Sequence, residues 1–174
     1  MSNNTTQQQE LVDRELKIKE HVKNWERLSQ EGYASPLKIR QSGVKGLGVF
    51  ADKDYKKGEI LDYCHCIVLD WKGKYHGDSE IKRYAYWDNC GCRDCLTHGK
   101  KGAILLGTGS IVNSSDTFEN ANVYMQHLFK FKLVVVEASK DIKAGEELEA
   151  WHGEDYYNNW CKPRHSTSPT ADQS

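Results

Sequence analysis

Two stretches of this chain echo one another. Lys53-Asp54-Tyr55-Lys56-Lys57-Gly58-Glu59-Ile60-Leu61 is matched by Lys140-Asp141-Ile142-Lys143-Ala144-Gly145-Glu146-Glu147-Leu148. Each reads as a strand end, a glycine turn and a new strand, because glycine supplies the positive φ that such turns need. Singly, each is an ordinary hairpin corner; as a pair they ask for a fold with two like corners. Around them lie short β-type runs broken by Gly and Asp. Leu37-Lys38-Ile39-Arg40 alternates, and Gly48-Val49-Phe50-Ala51, Ile60-Leu61-Asp62-Tyr63 and Cys66-Ile67-Val68-Leu69 are short and apolar. Lys132-Leu133-Val134-Val135-Val136-Glu137 is the strongest strand signal of all. Residues 81–87 fit a short helix or a strand, and periodicity does not decide between them. The chain is therefore mostly β, built of several small sheets.

The N-terminal part differs. Residues 2–9 are rich in Asn, Thr and Gln and are expected to be disordered. Residues 10–31 hold no Pro or Gly, and Leu11, Ile18, Val22, Trp25 and Leu28 recur at helical spacing. This predicts an N-terminal amphipathic helix over residues 10–34, ending near Gly32 with Pro36 blocking extension. Its apolar stripe packs on the domain or serves as an interface for a partner or a homodimer. Residues 162–174 hold Pro, Ser and Thr with little apolar matter and are expected to be a disordered tail.

At 174 residues the chain is sized for one domain, and 38% hydrophobic residues make it globular. A net charge of −1 leaves no basic field for phosphate neutralisation, so direct nucleic-acid binding is not expected. No apolar signal core and no membrane-length stretch occur. The expectation is a soluble, intracellular, cytoplasmic protein without a membrane partner. Six cysteines then read as reduced thiols or metal ligands.

Four segments carry a more specific signal. They are Ser42-Gly43-Val44-Lys45-Gly46-Leu47-Gly48-Val49-Phe50-Ala51, then Lys57-Gly58-Glu59-Ile60-Leu61-Asp62-Tyr63. Next come Gly107-Thr108-Gly109-Ser110-Ile111-Val112-Asn113-Ser114-Ser115 with Asn120-Ala121, and Asp141 to Leu148 followed by Trp151-His152-Gly153-Glu154-Asp155-Tyr156. In this order they resemble the SET-domain protein lysine methyltransferases, over residues 36–160. The Gly-x-Gly-Ser run is similar to the small stand-alone SET proteins of bacteria and viruses, and the Glu-Leu-x-x-Trp-x-Gly run also resembles PR-type SET domains.

The resemblance implies a β-clip fold of several small sheets with short helices and a knot-like C-terminal segment. The SET domain would span residues 35–161, with a Cys-rich insert at 88–102. It implies methyl transfer from S-adenosylmethionine to a lysine of a protein substrate, in the cytoplasm (the host's, if the source is viral). The loop Lys45-Gly46-Leu47-Gly48 would lie against the methionine part of the cofactor, its glycines permitting close backbone approach. Asn113 would bind the cofactor's amino group, and Ser114 stands where the family has His. Tyr156 and Trp160 would lie against adenine or substrate.

Lysine must be neutral to attack, and a narrow aromatic channel lowers its pKa by desolvation while fixing the approach. The resemblance assigns Tyr63 and Tyr86 to the active site, with Tyr84 and Trp87 beside Tyr86 in the channel region. His152 takes the place of the family's Tyr just before the glycine. Either the imidazole accepts from the lysine amine, with pH sensitivity around roughly 6–7, or the module binds cofactor or peptide without turnover.

Cys90, Cys92, Cys95 and His98 offer four ligands in nine residues, a set that suits Zn²⁺. Such a short loop is cramped for a tetrahedral ion, so ordinary thiols are the competing reading. Cys64, His65 and Cys66 would contribute only if they lie nearby.

Overall fold

A computed structural model describes residues 2–69, 85–88 and 101–162. The chain opens with helix α1, Ser2–Gln30. Strands β1 (Lys38–Gln41), β2 (Leu47–Phe50), β3 (Ile60–Leu69), β4 (Ala85–Asp88) and β5 (Lys101–Leu105) follow. The remaining strands are β6 (Asn113–Ser114), β7 (Val123–Leu128), β8 (Leu133–Ala138) and β9 (Glu147–Ala150). A short helix α2, Glu154–Tyr156, runs into a π-helical turn, Tyr157–Cys161. Among the described residues the strands lie in the order β1-β2-β9-β7-β8-β3-β5-β4, with β6 alongside β9. This is the mostly-β arrangement of linked small sheets, not a closed barrel.

The two echoing segments meet face to face. Tyr55 and Ile142 exchange both backbone hydrogen bonds at 2.9 Å each. The Asp141 carboxylate accepts from Lys56 Nζ at 2.7 Å and from the Lys57 N–H at 3.0 Å. Its counterpart Asp54 accepts from Lys143 Nζ at 2.8 Å and from the Ala144 N–H at 2.9 Å. Gly58 and Gly145, with φ of 88° and 82°, turn the two corners. Gly58 N–H bonds to the Ala138 carbonyl and Gly145 N–H to the Ala51 carbonyl, both at 2.8 Å. The result is a local pseudo-two-fold. Its ammonium–carboxylate pairs are exposed and contribute little. The paired backbone, with Tyr55 and Ile142 buried in the core, carries the joint.

Three sequence expectations are corrected. The helix begins at Ser2, ahead of the start expected at residue 10. Residues 2–9 hold neither Pro nor Gly to stop a helix, and Gln9 Nε2 donates to Asp13 Oδ1 one turn on, at 2.8 Å. Second, the two expected strands at residues 60–63 and 66–69 form the single strand β3. Cys64 and Cys66 point into the core while His65 points out, so the alternation runs on through the join at residues 64–66; its irregularity lies earlier, between Ile60 and Asp62. Third, Leu11 does not join the buried stripe and is 45% exposed. Residues 85–88, which periodicity left undecided, are the strand β4.

The C-terminal end of α1 docks on the sheet. Ile18, Val22, Trp25 and Leu28 pack with Tyr63, Leu128, Leu133 and Val135. Gly32, at φ 81°, ends the helix in a Schellman motif. The Tyr33 N–H returns to the Leu28 carbonyl at 3.0 Å, and the Gly32 N–H to the Ser29 carbonyl at 3.5 Å. Tyr33 then reaches Asp62, which is 1% exposed. Asp62 accepts from the Tyr33 hydroxyl at 2.5 Å, the Ser35 hydroxyl at 2.7 Å and the Tyr63 N–H at 2.8 Å. Thr108 Oγ1 donates to it as well. A buried carboxylate with this many donors ties the helix exit, β3 and the turn at Thr108–Ile111 together.

His21 is the weak point of this interface. It is 4% exposed, its ring meets Tyr63 edge-on at 6.2 Å, and neither ring nitrogen has a hydrogen-bond partner among the described residues. Burial, with Lys17 adding to it, holds its imidazole below the ordinary 6.5. The unfolded chain therefore binds the proton more readily than the folded one. Stability from this site is fully present above pH 6.5 and is lost as pH falls from 6.5 toward the folded pKa. His21→Leu is expected to raise stability at pH 5 more than at pH 7.5, by about 1–3 kcal/mol at the lower pH. Urea unfolding at the two pH values measures this; an equal change at both would contradict it.

Candidate functional site

The loop before β2 and the segment Val112–Asn113 form one side of the site. A 3₁₀ turn at Gly43–Lys45 is closed by the Ser42 N–H to the Gly46 carbonyl at 2.6 Å. Gly46 sits at φ 82°, where a side chain would be strained. The Lys45 ammonium pairs closely with Glu149. Asn113 lies beside Glu149 in the parallel pairing of β6 with β9. Its Nδ2 donates to the Leu47 carbonyl at 3.0 Å and to Glu147 Oε1 at 2.8 Å. Both partners can only accept, so the amide nitrogen must face them and Oδ1 is left as an acceptor. Lys45, Leu47 and Asn113 are thus brought together as the sequence suggested.

Gly48 also makes room within the protein. A Cβ at this position would lie 2.5 Å from Glu147 Oε1 and 2.9 Å from Ser42 Cβ. The space is taken by the protein's own carboxylate. Ser114 is buried in β6 and its hydroxyl donates to the Ser115 carbonyl at 3.0 Å.

Sequence reasoning missed Asn122, a buried residue that holds β9 in place. Its Oδ1 accepts from the Glu149 N–H at 2.8 Å, and its Nδ2 donates to the Glu147 carbonyl at 2.8 Å and to Glu146 Oε1 at 3.1 Å. No local pattern marks it, because its partners are more than twenty residues away.

The second side of the site is aromatic. Tyr86 of β4, His152 after β9 and Tyr156 of α2 gather there, joined by His127 of β7. Ring centroids are 5.0 Å apart for Tyr86–His152, 5.2 Å for His152–Tyr156 and 5.7 Å for Tyr86–His127. His152 Nε2 lies 3.3 Å from the Val112 carbonyl. A carbonyl only accepts, so Nε2 carries the hydrogen and Nδ1 holds the lone pair. Burial pushes the His152 imidazole down to about 4, with the Val112 bond opposing and His127 adding to the fall. The expected titration near 6–7 is thereby corrected: this imidazole is neutral throughout the neutral range. Burial also raises the Tyr86 phenol, keeping it protonated. His127 was missed, although it is the third inward position after Val123 and Met125 in an alternating strand.

Tyr63 is not part of this cluster. It is flanked in β3 by Asp62 and Cys64, and its ring packs under α1 against Trp25 at 6.4 Å and Tyr33 at 6.4 Å. Strand alternation sends Cys64 and Cys66 to the core and Tyr63 to the opposite face. The same alternation separates His65 from the two thiols. Burial pushes Cys64 up to about 12 and Cys66 up to about 11, so both are protonated packing groups. Cys90, Cys92, Cys95, His98 and Tyr84 lie outside the described residues, as do the side chains of Trp87 and Trp160. Among the described residues no group of three or more His, Cys, Asp or Glu could hold a metal ion.

Val112 and Asn113 join the two sides. The carbonyl of Val112 holds His152, and the next side chain faces the Gly46 loop. Comparison with known proteins fits this arrangement. The SET domain profile matches residues 46–153. The N-lysine methyltransferase KMT5A-A of Xenopus laevis is 25% identical over 136 residues, covering 74% of this chain and 39% of that protein. The chain thus spans well under half the length of that relative. A crystal structure of a Plasmodium falciparum protein described as a candidate histone methyltransferase superposes with a TM-score of 0.50 at 22% identity. That match covers 68% of this chain and 97% of the other. The methyltransferase domain of human PR domain-containing protein 2 gives a TM-score of 0.48 at 20% identity, over 72% and 82% of the two chains. With the matched profile covering most of the chain and running from the Gly46 loop to the glycine after His152, this protein belongs to the SET-domain family.

Proposed function

We propose that this protein transfers a methyl group from S-adenosylmethionine to a lysine side chain of a protein substrate. The observation that carries the reading is the junction at Val112–Asn113. It joins a free amide acceptor on one side to a half-buried cluster of aromatic and imidazole rings on the other. S-adenosylmethionine, when bound, supplies an electrophilic methyl group. The residues present fit it: Asn113 Oδ1 is an acceptor for its amino group, and the backbone of the Lys45–Gly48 loop lies beside Asn113. The name of the Xenopus relative, an N-lysine methyltransferase, supports lysine as the acceptor.

The aromatic side then handles the substrate amine. Tyr86 and Tyr156 exclude water and disfavour an ammonium between them. His152 does not take up the lysine's proton. A group near 4 cannot hold a proton against an amine whose ordinary value is about 10.4. Its role is to accept a hydrogen bond at Nδ1 and so aim the neutral amine, after the proton has gone to solvent. The second reading, binding without turnover, draws on the same residue. The family's hydroxyl both donates and accepts, and an imidazole with Nε2 committed to Val112 only accepts.

Titration calorimetry at neutral pH is expected to show S-adenosylmethionine binding with a dissociation constant on the order of micromolar. Asn113→Ala should weaken it by about tenfold or more, because an amide partner of the amino group is lost. Equal affinity in the two proteins would remove Asn113 from the site.

For the aromatic side, the rate of methyl transfer should show no inflection between about pH 6 and 7. It should rise with pH as the substrate ammonium deprotonates. His152→Tyr is expected to keep activity, and His152→Phe to lose about tenfold in kcat. Mass spectrometry of the methylated product follows both. An inflection near pH 6–7 that disappears in His152→Phe would show that the imidazole titrates during turnover.

A further inference from the structure

Glu147 is the first residue of β9, opposite Phe50 of β2. Its carboxylate accepts from Ser42 Oγ at 2.7 and 2.6 Å through its two oxygens, and from Asn113 Nδ2 at 2.8 Å through Oε1. Gly48 has no side chain over it, since a Cβ there would stand 2.5 Å from the same oxygen. We infer that Glu147 is a positioning residue that sets which end of the Asn113 amide faces the ligand, and so selects ligands that carry an amino or ammonium group. This rests on the reading that the loop side binds S-adenosylmethionine.

Two features support it. A carboxylate has no hydrogen to give, so it can be satisfied by the Asn113 nitrogen and never by its oxygen. The Leu47 carbonyl takes the second N–H in the same way. The amide is therefore locked with Oδ1 outward, and an outward acceptor wants a donor. The second feature is charge. The nearby Lys45 ammonium is committed to Glu149, one turn of the strand further on. Among the described residues no ammonium or guanidinium pairs with Glu147, and its donors are the neutral Ser42 and Asn113. The negative charge beneath Gly48 and Asn113 thus remains available to favour a cation above them.

Replacing the carboxylate by its isosteric amide removes the charge and leaves the Leu47 carbonyl as the one obligate acceptor for the Asn113 nitrogen. In Glu147→Gln the new NH₂ can face Asn113 Oδ1, letting the asparagine turn its donor outward, and the charge is gone. Calorimetry with two probes separates this role from a structural one. The probes are S-adenosylhomocysteine and its deaminated analogue, in which hydrogen replaces the α-amino group. Glu147→Gln is expected to lose about tenfold or more in affinity for S-adenosylhomocysteine, while its affinity for the analogue stays within about twofold of wild type. Glu147→Ala serves as a second variant, with the same selective loss expected. Equal losses for both probes would show a merely structural strut and overturn the inference while leaving the binding reading intact. Unchanged affinity for S-adenosylhomocysteine in Glu147→Gln would overturn it as well. Wild-type protein that binds neither probe would overturn this inference and the cofactor reading together.

Discussion

The joint between the two glycine corners is the constraint on which the site depends. The paired backbone of Tyr55 and Ile142 fixes the corners relative to each other, and each corner launches a strand. One leads into β3 and the other into β9, whose residues serve both sides of the site. The crossing Asp–Lys pairs are too exposed to stabilise the joint much. They add direction instead: each Asp also takes a backbone N–H of the opposite copy, so the two copies can meet in one register only. A slip by one residue would turn the strand faces over.

That register matters because β9 distributes roles by parity. Leu148 and Ala150 are buried and pack in the core. Glu147 and Glu149 point the other way, toward Ser42, Asn113 and Lys45. The Asn122 side chain holds the strand backbone at the Glu149 N–H and the Glu147 carbonyl, so hydrogen bonds as well as packing place these carboxylates. Two residues beyond the end of β9, His152 swings back over Val112. One short strand thus positions the Gly46 loop with its side chains and the aromatic cluster with its continuation.

What was legible in the sequence follows from the range of the interactions. The corners, β8 and the C-terminal end of α1 are written locally, in glycine turns, apolar runs and a helix stop at Gly32. Lys45, Asn113 and His152 lie in ordered motifs; Tyr86 was expected beside His152 and Tyr156 against adenine or substrate, and the structure gathers Tyr86, His152 and Tyr156 in one cluster. Tyr63 failed because a motif names a residue without saying which face of its strand is up; here that face belongs to α1. Asp62, Asn122, His127 and Glu147 escaped notice for the opposite reason. Their partners lie far along the chain, and a polar residue inside a strand carries no local sign of what will satisfy it. At Gly48 the structure adds a neighbour that the sequence could not name, the Glu147 carboxylate of β9.

On the proposed reading, the two sides of the site meet the same chemical group in two protonation states. Both ligands carry an alkyl amine. At the loop side, a carboxylate with only neutral donors and an outward amide oxygen favours that amine as an ammonium. At the aromatic side, half-buried phenols and an imidazole that stays neutral disfavour charge and offer a single acceptor. The separation is sustained by burial and by hydrogen-bond partners that can only accept: Leu47 and Glu147 for Asn113, Val112 for His152. A tyrosine hydroxyl at position 152 would need no such control, because it is neutral over the whole physiological range. An imidazole does need it, and burial beside Tyr86, His127 and Tyr156 supplies it. The substitution of His for Tyr is thus compatible with the site because the surrounding aromatic side chains remove the one property, protonation near neutrality, that would otherwise distinguish the two residues most.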